Sequence, residues 1–291
     1  MGAAPTVTSQ EHDARPAVSV EKALELSGIE QWVKAVVNFI YKALVVAEME
    51  ARKVRRDPIE LIMRSAGPVF WLLVFGQVLN RARVIPTGEL SYLDYMTPGI
   101  LAQGMLFTAI FYGIATIWER DLGILHKFLA SPVPRAALVA GKALSAGIRA
   151  IPQALAIGLL GVLVGVHINP NPLALLGALL TIVLSSALFA MFSLIIACIV
   201  KRGERLVGIN QVIIMPLFFA SNAIYPISIM PEWLKVLSHI NPLTYTVDAL
   251  RAMMVEGGHS QFGVGWDILI LAGITVLLNL IASRLYQRIL T

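Results

Sequence analysis

Few residue types in this sequence are placed for covalent chemistry. The five histidines, His12, His126, His167, His239 and His259, lie far apart in the chain. No HExxH or similar spacing puts two of them on one helix face, so a shared metal site is not expected. The lone cysteine, Cys198, sits in an apolar block, where it reads as a small core residue; one thiol makes neither an internal disulfide nor a cysteine-rich metal site. A phosphate-cradling loop requires GxxxxGK[ST], and the nearest approach, Gly141-Lys142-Ala143, lacks both the earlier glycine and the hydroxyl residue. Nucleotide is therefore expected to bind on another chain. No GxSxG elbow nominates a nucleophile. What stands out is a set of amides within apolar stretches, some close to aromatic rings. Gln77, Gln103, Phe107, Asn210, Gln211, Phe218 and Asn222 are the candidate lining of a path for an amphipathic molecule. The competing role for the amides is hydrogen bonding between helices.

These side chains must be carried by membrane-length elements. Of the 291 residues 57% are apolar and only 14% charged, and the mean hydropathy is +0.75, a balance foreign to soluble domains. The apolar residues fall in blocks long enough to cross a hydrocarbon layer of ~30 Å as helices. Run length and polar punctuation predict six spans, near 60–80, 95–117, 143–165, 173–200, 206–226 and 266–287. The start of the chain is polar, so a cleavable signal sequence is not expected and the first span is expected to direct insertion. Lys and Arg set the direction: with the N-terminus inside, the outer segments hold only Arg81, Arg83, Lys235 and Arg251, whereas the inner segments hold most of the rest. Both termini are thus expected on the cytoplasmic side. The net charge of +5 is spread along that face rather than gathered in a soluble domain, which argues against a nucleic-acid partner.

Three segments are not plain spans. Residues 1–26 are polar and rich in small residues, as a flexible cytoplasmic tail would be. Over 27–58, Trp32, Val36, Phe39, Ile40, Ala43, Leu44 and Ala47 recur at helical steps, with Arg52-Lys53-Val54-Arg55-Arg56-Asp57-Pro58 behind them. That pattern predicts an interfacial helix whose basic end suits anionic lipid headgroups. The inner loop 118–142 carries Glu119, Arg120, Leu122, Leu125, His126, Phe128 and Leu129, with the leucines and Phe128 on one face of a short helix that ends at Ser131-Pro132-Val133-Pro134. An isolated helix cannot bury such a stripe, so it either docks into a groove on a cytoplasmic partner or lies as an amphipathic connector. The segment 227–265 is too apolar for a loop and too broken for a span: Pro226, Pro231 and Asn241-Pro242 divide it into pieces around Glu232–Ile240 and Leu243–Met254. Helices that dip into the outer leaflet and return are expected there, as a gate or as an inert cap.

Together these residues resemble the permeases of ATP-binding-cassette exporters of the second type, which include drug-resistance and lipo-oligosaccharide export permeases. The resemblance runs from about Ser27 to the C-terminus. Its specific parts are Glu119-Arg120 with Leu125–Pro134, similar to the family's coupling-helix signature, and Asn241-Pro242-Leu243-Thr244-Tyr245 before the last span. It implies an all-α polytopic membrane protein: a flexible tail at 1–26, an elbow helix at 27–58 and a six-span domain at 59–291. It further implies an exporting permease without its own nucleotide site; spans without acidic residues beyond their margins fit an amphipathic or lipid-like substrate moved out of the cytoplasm or inner leaflet. Two separate ATPase subunits that bind ATP and Mg, and a second permease copy or homologue, would complete the transporter. Glu119–Leu129 would then be the coupling helix, and Pro226, Pro231, Asn241, Pro242 and Tyr245 would belong to an outer gate. An ion-coupled carrier or channel is the alternative. Such carriers hold acidic groups at membrane depth, and here only Glu60 and Asp267 approach the spans, at their margins.

Overall fold

The computed structural model describes residues 66–123, 135–200 and 202–286, together with the helical positions Val37, Tyr41, Val45 and Glu48. The expected tail and most of the elbow helix lie outside the described residues. Two compact units divide at Phe39 and Ile40. In the first only Val37 is described; everything below concerns the second.

Its described helices are α1, helical over 66–82, α2 (Tyr92–Asp121), α3 (Arg135–Val164), α4 (Pro172–Val200), α5 (Gly203–Phe219), α6 (Glu232–Ile240), α7 (Pro242–Met254) and α8 (Val264–Leu285). Four are long and apolar enough to cross a membrane: α2, α3 from Ala136 onward, α4 and α8. At 30 residues, α2 spans ~45 Å at 1.5 Å per residue. Its start is fixed by Ser91, whose hydroxyl accepts the Asp94 amide at 3.1 Å and donates to the Asp94 carboxylate at 2.7 Å. Its end comes at Leu122, followed by Gly123 at φ +71.

α4 is the hub. It carries no charged residue, and it packs against α2, α3, α7 and α8, with a smaller contact to α5. Asn171 caps it by accepting the Leu173 amide at 3.0 Å. Small and hydroxyl residues let its neighbours come close. A Cβ on Gly113 of α2 would fall 2.2 Å from Ser193 Oγ and 2.8 Å from the Ser193 backbone. The Ser193 hydroxyl donates to the Ile110 carbonyl at 2.6 Å across the same contact. α2 is buried along nearly its whole length, from Tyr92 to Ile117.

The sequence boundaries need two corrections. Helices α2 and α3 run past their apolar runs, to Asp121 and back to Arg135. A cross-helix ion pair between Glu119 and Lys142 lets charged residues stay helical there. Glu119 and Arg120 therefore belong to the last turn of α2, not to a separate short helix. The expected fifth span, 206–226, stops at Phe219; α5 is 17 residues long, with Pro216 near its end. Residues 220–226 turn back because their carbonyls find partners on α2 and α7 instead of along a helix axis. α1 contains a π-type turn at Trp71–Gly76, and its described part, like α5, is shorter than a full span.

Gly113→Leu is expected to prevent stable folding, because its Cβ alone already overlaps the α4 backbone. Gly113→Ala should cost about 1–3 kcal/mol, read as a lower apparent melting temperature of the detergent-purified protein.

Candidate functional site

The loops at 83–91, 165–171, 220–231 and 255–263 meet at one end of the helices, called here the cap end. His167 donates its amide to Asp94 Oδ1 at 2.8 Å and places Nδ1 3.2 Å from Oδ2. The His167 carbonyl accepts the Glu256 amide at 2.9 Å, and Ile168 and Val255 form an antiparallel bridge.

The centre of the cap end is Arg251 on α7, buried and charged. Its Nη2 donates to the Asn222 carbonyl at 2.7 Å and its Nε to the Tyr95 carbonyl at 3.3 Å. The guanidinium stacks 3.8 Å over the Tyr95 ring, and Asp248 Oδ1 lies 3.8 Å from Nη1. Desolvation pulls its pKa below the usual arginine value, with Tyr95 and Asp248 opposing that; an arginine stays protonated regardless. The same Asn222 carbonyl also accepts the Tyr95 hydroxyl at 3.1 Å, and the Ile224 carbonyl accepts Tyr92 at 3.2 Å. One charged side chain and two phenols thus hold the returning backbone. Gly99 of α2 completes the contact, since a Cβ there would sit 2.4 Å from the Ala223 carbonyl oxygen.

Of the expected gate residues, Asn241, Pro242 and Tyr245 stand at the junction of α6 and α7, while Pro226 and Pro231 precede it in the chain. Asn241 caps α7 by accepting the Leu243 amide at 3.0 Å and donates to the Leu217 carbonyl at 2.6 Å. Pro242 opens α7, where its missing N–H costs nothing. The Tyr245 hydroxyl donates to the His239 carbonyl at 2.6 Å, and both rings touch Phe262. Pro231 precedes α6, and Pro226 precedes the short turn Ile227–Ile229.

The expected path residues do not form one lining. Asn210 donates to Ser193 at 3.4 Å, the helix-to-helix role, and Asn222 donates from the turn after α5 to Asp248 on α7 at 3.1 Å. Phe218 is packed into the core. Gln103 is buried and its Oε1 has no hydrogen-bond partner among the described residues. Phe107 and Gln77 are half-buried and Gln211 is exposed.

At the opposite end, Glu119 pairs with buried Lys142. Arg120 contacts its neighbour Asp121 at 2.7 Å, and Leu122 is exposed. Leu125, His126, Phe128 and Leu129 lie outside the described residues. Cys198 is buried, as its setting suggested. Sequence reading missed Arg251, Asp248 and Tyr95, the residues with the densest bonding. The available signal was Asp248 and Arg251 three apart in a segment otherwise too apolar for a loop; two charges there need a buried reason.

With this geometry in hand, the family is decided by a match of residues 41–255 to the ABC-2 type transporter model. The chain belongs to the ABC-2 type transporter family. As a whole this permease is 26% identical to the transport permease ycf38 of Cyanophora paradoxa, over 92% of its own length and 97% of that protein. It is 24% identical to the daunorubicin resistance ABC transporter permease protein DrrB1 of Streptomyces coeruleorubidus, over 79% and 80% of the two chains. With the inner membrane transport permease YadH of Escherichia coli K12 the figures are 22%, 62% and 70%. The matched region of the permease includes the α2 end with Glu119, the broken segment at 220–231 and α7 with Arg251.

Removing the guanidinium would leave the buried Asn222 carbonyl short of a donor and Asp248 without its cation. Arg251→Met is expected to destabilise the permease by about 3–5 kcal/mol. Arg251→Lys should recover only part of this, since an ammonium has no planar fork to stack on Tyr95. Thermal unfolding of the three purified proteins checks the order.

Proposed function

We propose that the permease is the membrane-spanning subunit of an exporter that moves an amphipathic or lipid-like substrate out of the cytoplasm or the inner leaflet. Separate cytoplasmic ATPase subunits, expected as a pair, bind ATP and Mg and drive it. The observation that carries this reading is where the charges stand. Among the described residues the acidic side chains of the four long helices lie in their terminal turns: Asp94, Glu119 and Asp121 in α2 and Asp267 in α8. Coupling to an ion flux through the middle of the layer has no group to use there. An external energy source fits, as does the absence of a phosphate-binding loop in the sequence. The relative named for daunorubicin resistance supports outward transport.

In this reading the protein sits in the inner membrane with both termini in the cytoplasm, because the cap end carries few Lys and Arg. The cap end then faces out. α6 leaves Trp233, Val236, Leu237 and Ile240 exposed, a face suited to the outer membrane interface. α7, buried beneath, satisfies the condition under which a non-spanning helix is tolerated near the bilayer. The prolines and Asn241 at the α6–α7 junction are assigned to an outer gate.

A second permease copy or homologue is expected beside α1 and α5. α5 buries only Leu206, Asn210, Ile214 and Phe218, a stripe at four-residue steps. Its exposed surface includes Gln211 as well as Val207, Val212 and Met215. An amide there is better served by a partner subunit or cargo than by lipid.

The cytoplasmic contact is assigned to the segment after α2. Leu125→Asp with Phe128→Asp is expected to lower co-purification of the neighbouring ATPase subunit roughly tenfold or more, the loss of a single good apolar anchor, while membrane insertion stays intact. Equal recovery of the ATPase with both proteins would remove this segment from the interface.

A further inference from the structure

The cap end contains an arrangement that transport by itself does not require. Ser260 Oγ lies 2.8 Å from Asp248 Oδ2 and 2.8 Å from Asp267 Oδ2. It also accepts the Gly263 amide at 2.7 Å. A serine hydroxyl has one hydrogen to donate, so it can satisfy one carboxylate and not two. Both carboxyl groups are shut off from solvent, Asp248 at 1% and Asp267 at 0% exposure. Two buried oxygen anions facing one hydroxyl would leave one of these short contacts with no hydrogen in it.

The surroundings decide which carboxyl is ionised. Asp248 Oδ2 accepts the amides of Gln261 at 2.6 Å and Phe262 at 3.2 Å, Oδ1 accepts Asn222 Nδ2 at 3.1 Å, and Arg251 stands 3.8 Å away. That is a well-served anion. Asp267 has only Ser260, and its Oδ1 finds no partner among the described residues. The hydrogens balance when Asp267 Oδ2 carries a proton and donates it to Ser260 Oγ, while Ser260 donates to ionised Asp248.

We infer that Asp267, Ser260 and Asp248 form a proton-binding site that fastens the 255–263 strap and the start of α8 to α7. The groups facing it are few. α7 contributes Asp248, Arg251 and Tyr245; the strap contributes His259, which lines a cavity of about 190 Å³ beside Asp248 and Arg251. α2 contributes Tyr95. The helices α3 and α4 that pack on α8 bring none nearby: α4 has no charged residue, and α3 has none after Arg149.

The sign follows from linkage. The fastened state binds one more proton than a state in which the strap has left and Asp267 is ionised in water. It is therefore favoured as pH falls and lost as pH rises, by up to tenfold in the equilibrium per pH unit for one proton. That this pH is the outer one rests on the orientation proposed above; the site itself does not.

Infrared spectroscopy of the full chain in detergent tests it with no ATPase, cargo or orientation involved, so its failure leaves the export reading untouched. Wild-type protein carrying isotope-labelled aspartate is expected to show a buried protonated-carboxyl stretch at mildly acidic pH that fades as pH rises through neutral and is missing in Asp267→Asn. A wild-type spectrum without any protonated aspartate at neutral or mildly acidic pH overturns the assignment, even if the variant does not fold. Amide exchange gives the second reading. Protection at Gln261 and Phe262 should fall with rising pH beyond the intrinsic rate change in wild type, and stay level in Asp267→Asn. Matching profiles in two folded proteins would sever the link between proton and strap.

Discussion

A backbone that turns back at the edge of a bilayer needs its carbonyls satisfied by protein, since hydrocarbon offers no donors. In this permease that demand falls on the stretch after Phe219, and Arg251 meets most of it. A guanidinium buried on Tyr95 is costly unless it is fully used. Here its fork bonds two backbone carbonyls from separate elements while Asp248 balances its charge. The interaction thus joins α2, α7 and the turn at 220–224. The strap and the start of α8 are tied to α7 as well, through Asp248 and Ser260.

The two ends of the helix assembly are built on different principles. The cap end uses directional bonds to backbone: Tyr92, Tyr95, Asn241, Tyr245 and Arg251 all address carbonyls. The opposite end has the Glu119–Lys142 ion pair and the approach of Arg149 to the Tyr112 ring at 5.6 Å. Between them the contact of α2 with α4 is close because Gly113 offers no side chain where Ser193 crosses it. That crossing is fixed by a directional bond as well, since the Ser193 hydroxyl donates to the Ile110 carbonyl.

Much of this was legible in the sequence wherever hydrophobicity alone decides. The helical class, the long apolar helices α2, α3, α4 and α8, and the two short helices divided by Asn241-Pro242 all follow from run length and proline placement. Boundaries were less legible when a distant partner set them. Lys142 reads as the end of a loop until Glu119 is known to face it, and Asn222 reads as one more intramembrane amide until Asp248 is seen to hold it. The end of α5 at Phe219 depends on donors contributed by Tyr92, Tyr95 and Arg251, all remote in sequence. The polar path residues failed to gather because several of them already serve neighbouring helices. Arg251 reads as a loop charge because its burial is a tertiary fact, whose one local sign is Asp248 three residues before it.

The fit of Gly99 against Ala223 has a mechanical side. With no side chain between them, the turn at 220–224 is seated directly on α2, and the same helix reaches the Glu119–Lys142 pair at its other end. Gly99 and Glu119 are separated by ~30 Å of continuous helix at 1.5 Å per residue, so a tilt of about 5° at one end displaces the other by about 3 Å. α2 is in effect a tiller, and the turn is its blade. Between this helix and the returning backbone there is thus no soft side-chain layer to take up a movement of either.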